Sequence, residues 1–345
     1  MPPRRTRPPR AMAGVSLVEL MISIVLGMMV IAALVTVFAS TSSARNELER
    51  TSRQIENGRF AMELIGDDLR VAGFYGELNV AQVAPAGSLL DPCSTAVADW
   101  TGAINLGVQA YDTGTSAPSC VPSSLKAGTD ILVVRRVETC EAGVGTCPAA
   151  VNGVAYFQVS KCATESVTTP FVIGLKGTAV FNLTNKDCTT TAALRQYVVH
   201  IYFISKNNGA SELVPTLKRL EFDGATFTEK PLVEGIEELN IEYGMDNDND
   251  GAPDAYTADP SNYTYTGCAA CNSWNNWPNV VSARVSLLAR NIEASPNFTD
   301  SKTYTLGNDA SGAAVTVAPA DGYRRHAYSG LVRVVNTSER RERPS

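Results

Sequence analysis

Histidine is scarce in this sequence, and the short motifs that usually mark an enzyme active site are missing. The chain has two histidines in 345 residues, His200 and His326. It contains no Gly-x-Ser-x-Gly, His-Glu-x-x-His, phosphate-binding loop or Gly-x-Gly-x-x-Gly motif. His200 lies in an apolar run, where we expect a packed core residue, and His326 follows two arginines. We therefore predict no catalytic residue and no enzyme activity.

An excess of positive charge is also missing. The chain has 29 Lys and Arg residues against 35 Asp and Glu residues, which gives a net charge of −6. Loss of the four arginines near the N-terminus would take this value to −10. Because a phosphate-binding surface needs a basic patch, we predict that the protein binds no nucleic acid.

Charged residues are almost absent from residues 11–44, where Glu19 stands alone. The apolar run from Val15 to Ala39 would span roughly 37 Å as a helix, more than the roughly 30 Å hydrocarbon core of a bilayer. Four arginines precede this run, at positions 4, 5, 7 and 10. The pattern predicts a single membrane span with its N-terminus in the cytoplasm and the rest of the chain across the membrane.

Glu19 is unusual because an ionised carboxylate in lipid costs a few kcal/mol and normally has a partner or a purpose. One interpretation is that it reaches the membrane interface from near the helix end. Another is that the segment is an ordinary secretory signal peptide, cut after Ala39 or Ala44, although its apolar run is longer than the usual 7–15 residues.

Proline is missing between Pro9 and Pro85, so a helix that starts in the membrane can continue beyond it. Residues 45–72 are rich in helix-forming residues and have apolar residues at seven-residue spacing. One row contains Leu48, Ile55, Met62 and Leu69, and its companion row contains Thr51, Gly58, Ile65 and Ala72. We expect this stripe to pack against the protein's own globular part.

The remainder, to about residue 336, favours strands and loops. Residues 239–245 and 281–289 alternate in polarity, which predicts two half-buried strands. The denser apolar runs 131–137 and 197–204 are typical of central strands. Connections rich in Gly, Pro, Ser and Thr separate them. The last nine residues, 337–345, are charged, and we expect them to be disordered.

All eight cysteines lie outside the apolar run, and an even number on the translocated side of a membrane predicts disulfides. Eight cysteines allow 105 connectivities, of which pairing between sequence neighbours is the simplest. That choice gives Cys93–Cys120, Cys140–Cys147, Cys162–Cys188 and Cys268–Cys271. For the Cys268-Ala-Ala-Cys271 pair, a redox site and half of a zinc site are alternatives.

An acidic loop follows the predicted strand 239–245. Asp246, Asp248, Asp250 and Asp254 stand at positions 1, 3, 5 and 9 of a calcium-loop pattern, with Gly251 at position 6. Ala252 would supply its carbonyl at position 7. Thr257 replaces the usual glutamate at position 12, so we expect weak calcium binding. The alternative is a polar turn without a metal ion.

Several motifs resemble those of known proteins. Gly14-Val15-Ser16-Leu17-Val18-Glu19-Leu20-Met21 is similar to the processing site of type IV pilins and pseudopilins. The resemblance implies that a prepilin peptidase cuts after Gly14 and methylates the amine of Val15. It further implies that Glu19 pairs with the N-terminus of a neighbouring subunit during assembly. The family usually has Phe in place of Val15.

Further motifs resemble PilW-type minor pilins. They are found at residues 55–62, 68–76, 199–204, 235–254 and 324–329. The resemblance implies an α+β pilin-like fold, with a long N-terminal helix packed on a mostly antiparallel β-sheet head that carries large disulfide-containing loops. It divides the chain into a leader (1–14), a transmembrane and assembly helix (15–39), an amphipathic helix half (40–76), a periplasmic β-rich head (77–336) and the tail (337–345).

The function implied by this resemblance is that of a minor pilin that helps to prime a type IV pilus near its tip. The implied partners are other minor and major pilins, the inner-membrane assembly platform and the prepilin peptidase. The protein would start in the inner membrane and then enter the extracellular filament. A minor pseudopilin of a type II secretion system and a secreted binding protein or enzyme remain alternatives.

Overall fold

The helices and strands are described for residues 14–80, 83, 87–112, 116–209, 213–266 and 274–342 of a computed structural model. Residues 1–50 and 51–345 form two compact units. The helices are α1 (Leu17–Arg70), α2 (Val97–Gly102) and α3 (Val335–Arg341), with 3-10 turns at Ala103–Asn105, Pro260–Asn262 and Trp274–Asn279. The strands are β1 (Val108–Tyr111), β2 (Ile131–Val137), β3 (Ala155–Val159), β4 (Phe171–Leu175), β5 (Leu194–Ser205), β6 (Thr216–Phe222), β7 (Phe227–Glu234), β8 (Ile236–Met245), β9 (Ala255–Thr257), β10 (Val280–Arg290), β11 (Tyr304–Asn308), β12 (Ala314–Val317) and β13 (Arg325–Arg333).

Helix α1 ends several residues before the predicted limit at residue 76. Its last residue is Arg70, and the Ala72 amide donates to the Leu69 carbonyl in a final turn. Gly73 and Gly76 then adopt φ values of +69° and +64°, which glycine reaches without the steric cost of a side chain. The two glycines in the 68–76 motif therefore end the helix and turn the chain toward the sheet.

The larger sheet has seven strands, all paired antiparallel, and β5 is at its centre. β2 pairs with one stretch of β5, and β1 lies outside β2. β3 pairs with the first residues of β5, and β4 pairs with β3. β6 pairs with the last six residues of β5, and β7 pairs with β6. The dense apolar runs 131–137 and 197–204 thus form central strands, as predicted.

The smaller sheet has the order β13-β10-β8-β9, and β11 and β12 form a separate two-stranded ribbon. The strands predicted at 239–245 and 281–289 are confirmed as β8 and β10, but the expectation that they are half-buried was wrong, because both are buried on both faces. Polar residues of β8 face the ribbon: the Asn240 side chain donates to the Leu306 carbonyl, and the Asn308 side chain donates to Glu242. In β8, the alternation in polarity therefore distinguishes two buried faces. The polar residues form hydrogen bonds with the ribbon, and the apolar residues pack in the core.

Two hydrophobic cores lie on opposite faces of the larger sheet. One joins α1 to both sheets through side chains such as Ile65, Leu132 and Ile241. The other includes Val133, Tyr197 and the aromatic side chains of Trp100 and Phe157. Adjacent residues of β2 enter different cores, which is why its sequence is apolar throughout.

The expected disorder from residue 337 was wrong for residues 337–342. Residues 335–341 form helix α3, in which Thr337 and Ser338 are buried. The Ser338 hydroxyl donates to the Gly251 carbonyl, and the Arg333 guanidinium donates to Ser338. Contacts with distant parts of the chain therefore order a segment whose local composition favours disorder.

Candidate assembly segment, helix–head interface and acidic loop

The first half of α1 exposes a continuous apolar surface. Its large apolar side chains between Val15 and Phe38 are 49–76% exposed, and this is the one described helix that is long and apolar enough to cross a membrane. Such an area is far larger than soluble proteins leave in contact with water. This part of the chain therefore requires lipid or other apolar helices around it.

Glu19 lies in the first turn of α1. The Ser16 carbonyl accepts the first helical hydrogen bond, from the Leu20 amide at 3.1 Å, so Ser16 is the N-cap residue. Ser16 and Glu19 have the spacing of a capping box, and the positive end of the helix dipole also favours a carboxylate there. A local role in the helix start is thus a second explanation for Glu19, and an experiment has to separate it from assembly.

The buried face of α1 within the head is centred on the companion row of the predicted stripe. Leu48 and Ile55 are 71% and 44% exposed. The buried residues are instead Gln54, Gly58, Ala61, Ile65, Gly66, Asp68 and Leu69. The companion row, with its glycine, faces the sheet because it lets the helix approach closely. The prediction that this half of the helix packs on the protein's own head is confirmed.

Gly58 is one point of close approach. A Cβ atom at this position would overlap the ring of Tyr328 on β13, so only glycine fits against that ring. Nearby, the Gln54 side chain donates to the carbonyls of Ala289 and Arg324 at 2.8 and 3.0 Å. The 55–62 and 324–329 motifs therefore meet at this helix–sheet contact.

Asp68 is the centre of a buried polar network between α1 and the larger sheet. Its carboxylate accepts a hydrogen bond from Arg136 Nε at 2.8 Å and from the Tyr202 hydroxyl at 2.8 Å. His200 Nδ1 lies 2.5 Å from Asp68 Oδ2. Arg219 Nη1 donates to Tyr202 at 3.2 Å and extends the network. His200 is thus a packed, hydrogen-bonded core residue, as predicted, and the 68–76 and 199–204 motifs meet here.

The electrostatics of this network favour the ionised form of Asp68. Burial alone would raise the pKa of its carboxyl group, but the hydrogen bond and charge of His200, together with Arg136, hold the pKa well below its ordinary value of 3.8. Burial and the neighbouring Asp68 charge raise the pKa of Tyr202. A negative Asp68 and a neutral Tyr202 are the stable forms, which suits a structural connection between helix and sheet.

The acidic loop brings three of its four aspartates together. Oxygen atoms of Asp246, Asp248 and Asp254 lie within 4.8 Å of one another. Asp250, predicted as a fourth ligand, accepts instead from the Ala252 amide at 2.7 Å. Gly251 adopts a φ of +82°, as a tight loop of this kind requires.

Asp246 already has a cationic partner. Its carboxylate accepts from Arg341 Nε at 2.6 Å, and the Arg341 Nη2 group donates to its carbonyl at 2.9 Å. The amides of Asn249 and Gly251 also donate to the carboxylate. The desolvation of Asp246 is outweighed by Arg341, so the pKa of Asp246 is lowered. Calcium binding, which stays a prediction, would have to compete with this arginine.

Three predicted disulfides are confirmed in the described residues. They are Cys93–Cys120, Cys140–Cys147 and Cys162–Cys188, each between sequence neighbours. The fourth predicted pair, Cys268–Cys271, lies outside the described residues, as do residues 1–13 of the predicted leader.

Sequence reasoning missed three charged residues that hold the head together. Asp68 and Arg341 are described above. The third is Arg325, whose guanidinium pairs with Glu237 at 2.5 Å and Asp321 at 2.6 Å while fully buried. The available signal for Asp68 was a lone carboxylate on the apolar face of a helix, seven residues after Ala61. Arg341 had no signal, because its partner is 95 residues away.

Two comparisons with known proteins found a match. Residues 201–336 match the family model described as type IV pilus-assembly protein W, PilW. The matched region includes β6 to β13, the acidic loop and the start of α3. A type IV-like pilin from Thermus thermophilus is similar at 14% identity, with 82% of this chain and 97% of that chain covered and a TM-score of 0.36. No curated protein matches the chain.

Proposed function

We propose that this chain, whose residues 201–336 match the PilW family model, is a minor pilus subunit, cut after Gly14, that helps to prime filament assembly near the tip. The observation that supports this proposal most strongly is that α1 has two distinct surfaces. Its first half is apolar on all sides with Glu19 as its lone charge, and its second half is buried in a β-rich head. An apolar helix that is carried by a folded head can enter a bundle of similar helices.

The proposed assembly step uses Glu19 and Val15. After cleavage, the methylated amine of Val15 is the first group of the mature chain. In a bundle of α1 helices, Glu19 of one subunit would accept the charged amine of its neighbour. Such pairing removes most of the cost of an isolated carboxylate in an apolar environment. The head would remain in the periplasm until the subunit is extracted into the filament.

Non-enzymatic function is part of the same proposal. The two histidines have structural surroundings: His200 contacts Asp68, and the His326 ring lies 4.7 Å from the ring of Tyr328. Proposed partners are other minor and major pilins, the assembly platform and the prepilin peptidase.

The test begins with mass spectrometry of the mature N-terminus. The proposal predicts a chain that begins with methylated Val15, and a Gly14→Ile variant that keeps its leader because a bulky residue replaces the small one at the cut. A mature chain that begins after Ala39 or Ala44 would contradict the proposal and indicate an ordinary signal peptide.

A gene deletion then separates a pilus from a secretion system. We expect the deletion strain to have few surface filaments by electron microscopy and normal protein secretion. Normal filaments with blocked secretion would instead assign the chain to a type II secretion system as a minor pseudopilin. Normal filaments and normal secretion would contradict both assignments.

A further inference from the structure

Arg135 is a buried arginine without an anionic partner. Its residue exposure is 2%, and its guanidinium donates to the Leu106 carbonyl at 3.2 Å and to Gln109 Oε1 at 2.8 Å. Both acceptors are neutral, and among the described residues no carboxylate pairs with it. A guanidinium has five N–H donors, so three remain available here. Isolated buried charges are costly, which makes this arrangement unusual.

Among the described residues, two tyrosines in segments that pair with β2 next to Arg135 have buried hydroxyls without a hydrogen-bond partner. The segment after α1 runs along β2, because the Gly73 amide donates to the Arg135 carbonyl and the Val137 amide donates to the Phe74 carbonyl. Tyr75 follows directly, and Tyr197 is paired with Val137 across the sheet. Within the described part of the chain, the hydroxyl oxygens of both tyrosines are buried without a hydrogen bond.

A second uncompensated cation approaches from α3. Arg340 Nη2 lies close to Gly73, because a Cβ atom built at Gly73 would be 3.0 Å from it. Arg340 donates to the Asn336 carbonyl at 2.6 Å and to the Thr337 hydroxyl at 3.3 Å, and it pairs with no carboxylate in the described residues. Burial lowers the pKa of Arg340, and the charge of Arg340 lowers the pKa of Tyr75 relative to the effect of burial alone.

The electrostatic effects on the tyrosines agree with this placement. Burial raises the pKa of Tyr197 to about 12, and the charge of Arg135 opposes that rise. Burial also raises the pKa of Tyr75, and the charges of Arg135 and Arg340 oppose that rise. Both phenols therefore stay protonated and can donate hydrogen bonds.

We propose that Arg135, Arg340, Tyr75 and Tyr197 form a buried site for a small monovalent anion of the size of chloride. Two guanidinium groups supply the charge, and the two hydroxyls and the remaining N–H groups of Arg135 supply donors. A small anion fits the chemistry better than a carboxylate ligand, because the donors lie in a packed core and not in an open groove. The anion would hold together the end of α1, strand β2 and helix α3.

The test is urea unfolding of the full chain in a non-ionic detergent, with unfolding monitored by near-ultraviolet circular dichroism. Sodium chloride is exchanged for sodium gluconate at constant ionic strength, because gluconate is too large for a core site. An anion that binds only the folded state raises the folded-to-unfolded ratio by up to about tenfold for each tenfold increase in its concentration. We expect this chloride dependence in the wild-type protein.

The Arg135→Met variant should lose the chloride dependence. Arg136→Met is the matched control, since the adjacent arginine lies on the other face of β2 and pairs with Asp68; it should keep the dependence even though it is less stable. Tyr197→Phe and Tyr75→Phe each remove one oxygen atom, so they fold without a new cavity and should weaken the response. A wild-type protein with equal stability in chloride and gluconate would overturn the proposal. Equal chloride responses in Arg135→Met, Tyr197→Phe and wild type would also overturn it.

Discussion

Replacement of Asp68 by alanine is the sharpest test of how the long helix is attached to the head. The variant removes the shared acceptor of Arg136, His200 and Tyr202, all of which stay buried. Loss of one partner from a buried ion pair costs about 3–5 kcal/mol, because the other charge is left without compensation. Arg136 keeps a second contact, with Glu138 at 3.2 Å. We therefore expect Asp68→Ala to lower the unfolding free energy by about 3 kcal/mol, near the lower end of this range.

The neighbouring Asp67 provides a matched control. Within the described residues it pairs only with Arg70, and the side chains of Asp67 and Arg70 are more than half exposed, at 65% and 57%. Exposed pairs contribute about 0–1 kcal/mol, so Asp67→Ala should leave the unfolding free energy almost unchanged. The assay is urea unfolding of the full chain in detergent, with the two variants compared at pH 7. Equal losses in Asp67→Ala and Asp68→Ala would refute the assigned role of the buried network.

A pH series adds a second readout for Asp68. Its pKa is lowered in the folded state, so its contribution is fully present above the unfolded-state pKa of 3.8 and is lost as the pH falls below that value. The difference in unfolding free energy between wild type and Asp68→Ala should therefore narrow as the pH falls below 3.8. A difference that grows as the pH falls below this value would contradict this sign.

Three further predictions concern single positions. Gly58→Ala should destabilise the head by about 1–3 kcal/mol, because the added methyl group overlaps the Tyr328 ring, whereas Gly27→Ala, with no neighbour within 4 Å, should leave head unfolding unchanged. Calcium titration by calorimetry should give weak binding to wild type, tighter binding to Arg341→Gln and none to Asp246→Ala, because Arg341 competes for the Asp246 carboxylate; no heat with either of the first two proteins would end the calcium prediction. Peptide mapping without reduction should recover the peptide that contains Cys268 and Cys271 lighter by two hydrogen atoms and resistant to thiol alkylation, whereas alkylated free thiols at these positions would contradict the fourth predicted disulfide.

The features that could be predicted from the sequence were local ones. The apolar run and its lone Glu19 predicted the exposed first half of α1, and dense apolar runs predicted the central strands β2 and β5. Three disulfides followed from pairing neighbours in sequence, since each links cysteines at most 27 residues apart. Because these cysteines are close in sequence, pairing each cysteine with its sequence neighbour predicted these three disulfides correctly.

The errors came from contacts between distant residues. The polar residues of β8 were expected in solvent, but the β11–β12 ribbon covers them with hydrogen bonds. Residues 337–341 were expected to be disordered, but α3 is fixed by contacts with residues about 90 positions earlier. Of the predicted stripe on α1, Leu48 and Ile55 are exposed, whereas Gly58 of the companion row is buried because its small size lets the Tyr328 ring approach.

The most direct test of the proposed assembly role is the amount of subunit in purified filaments for wild type and Glu19→Gln. Glutamine can still complete the capping box with Ser16 but cannot pair as an anion with a neighbouring amine, so the variant removes the charge and keeps the helix start. We expect normal cleavage and membrane levels of Glu19→Gln and its absence from sheared filaments on immunoblots. Incorporation of Glu19→Gln at the wild-type level would contradict the pairing of Glu19 with the N-terminus of another subunit.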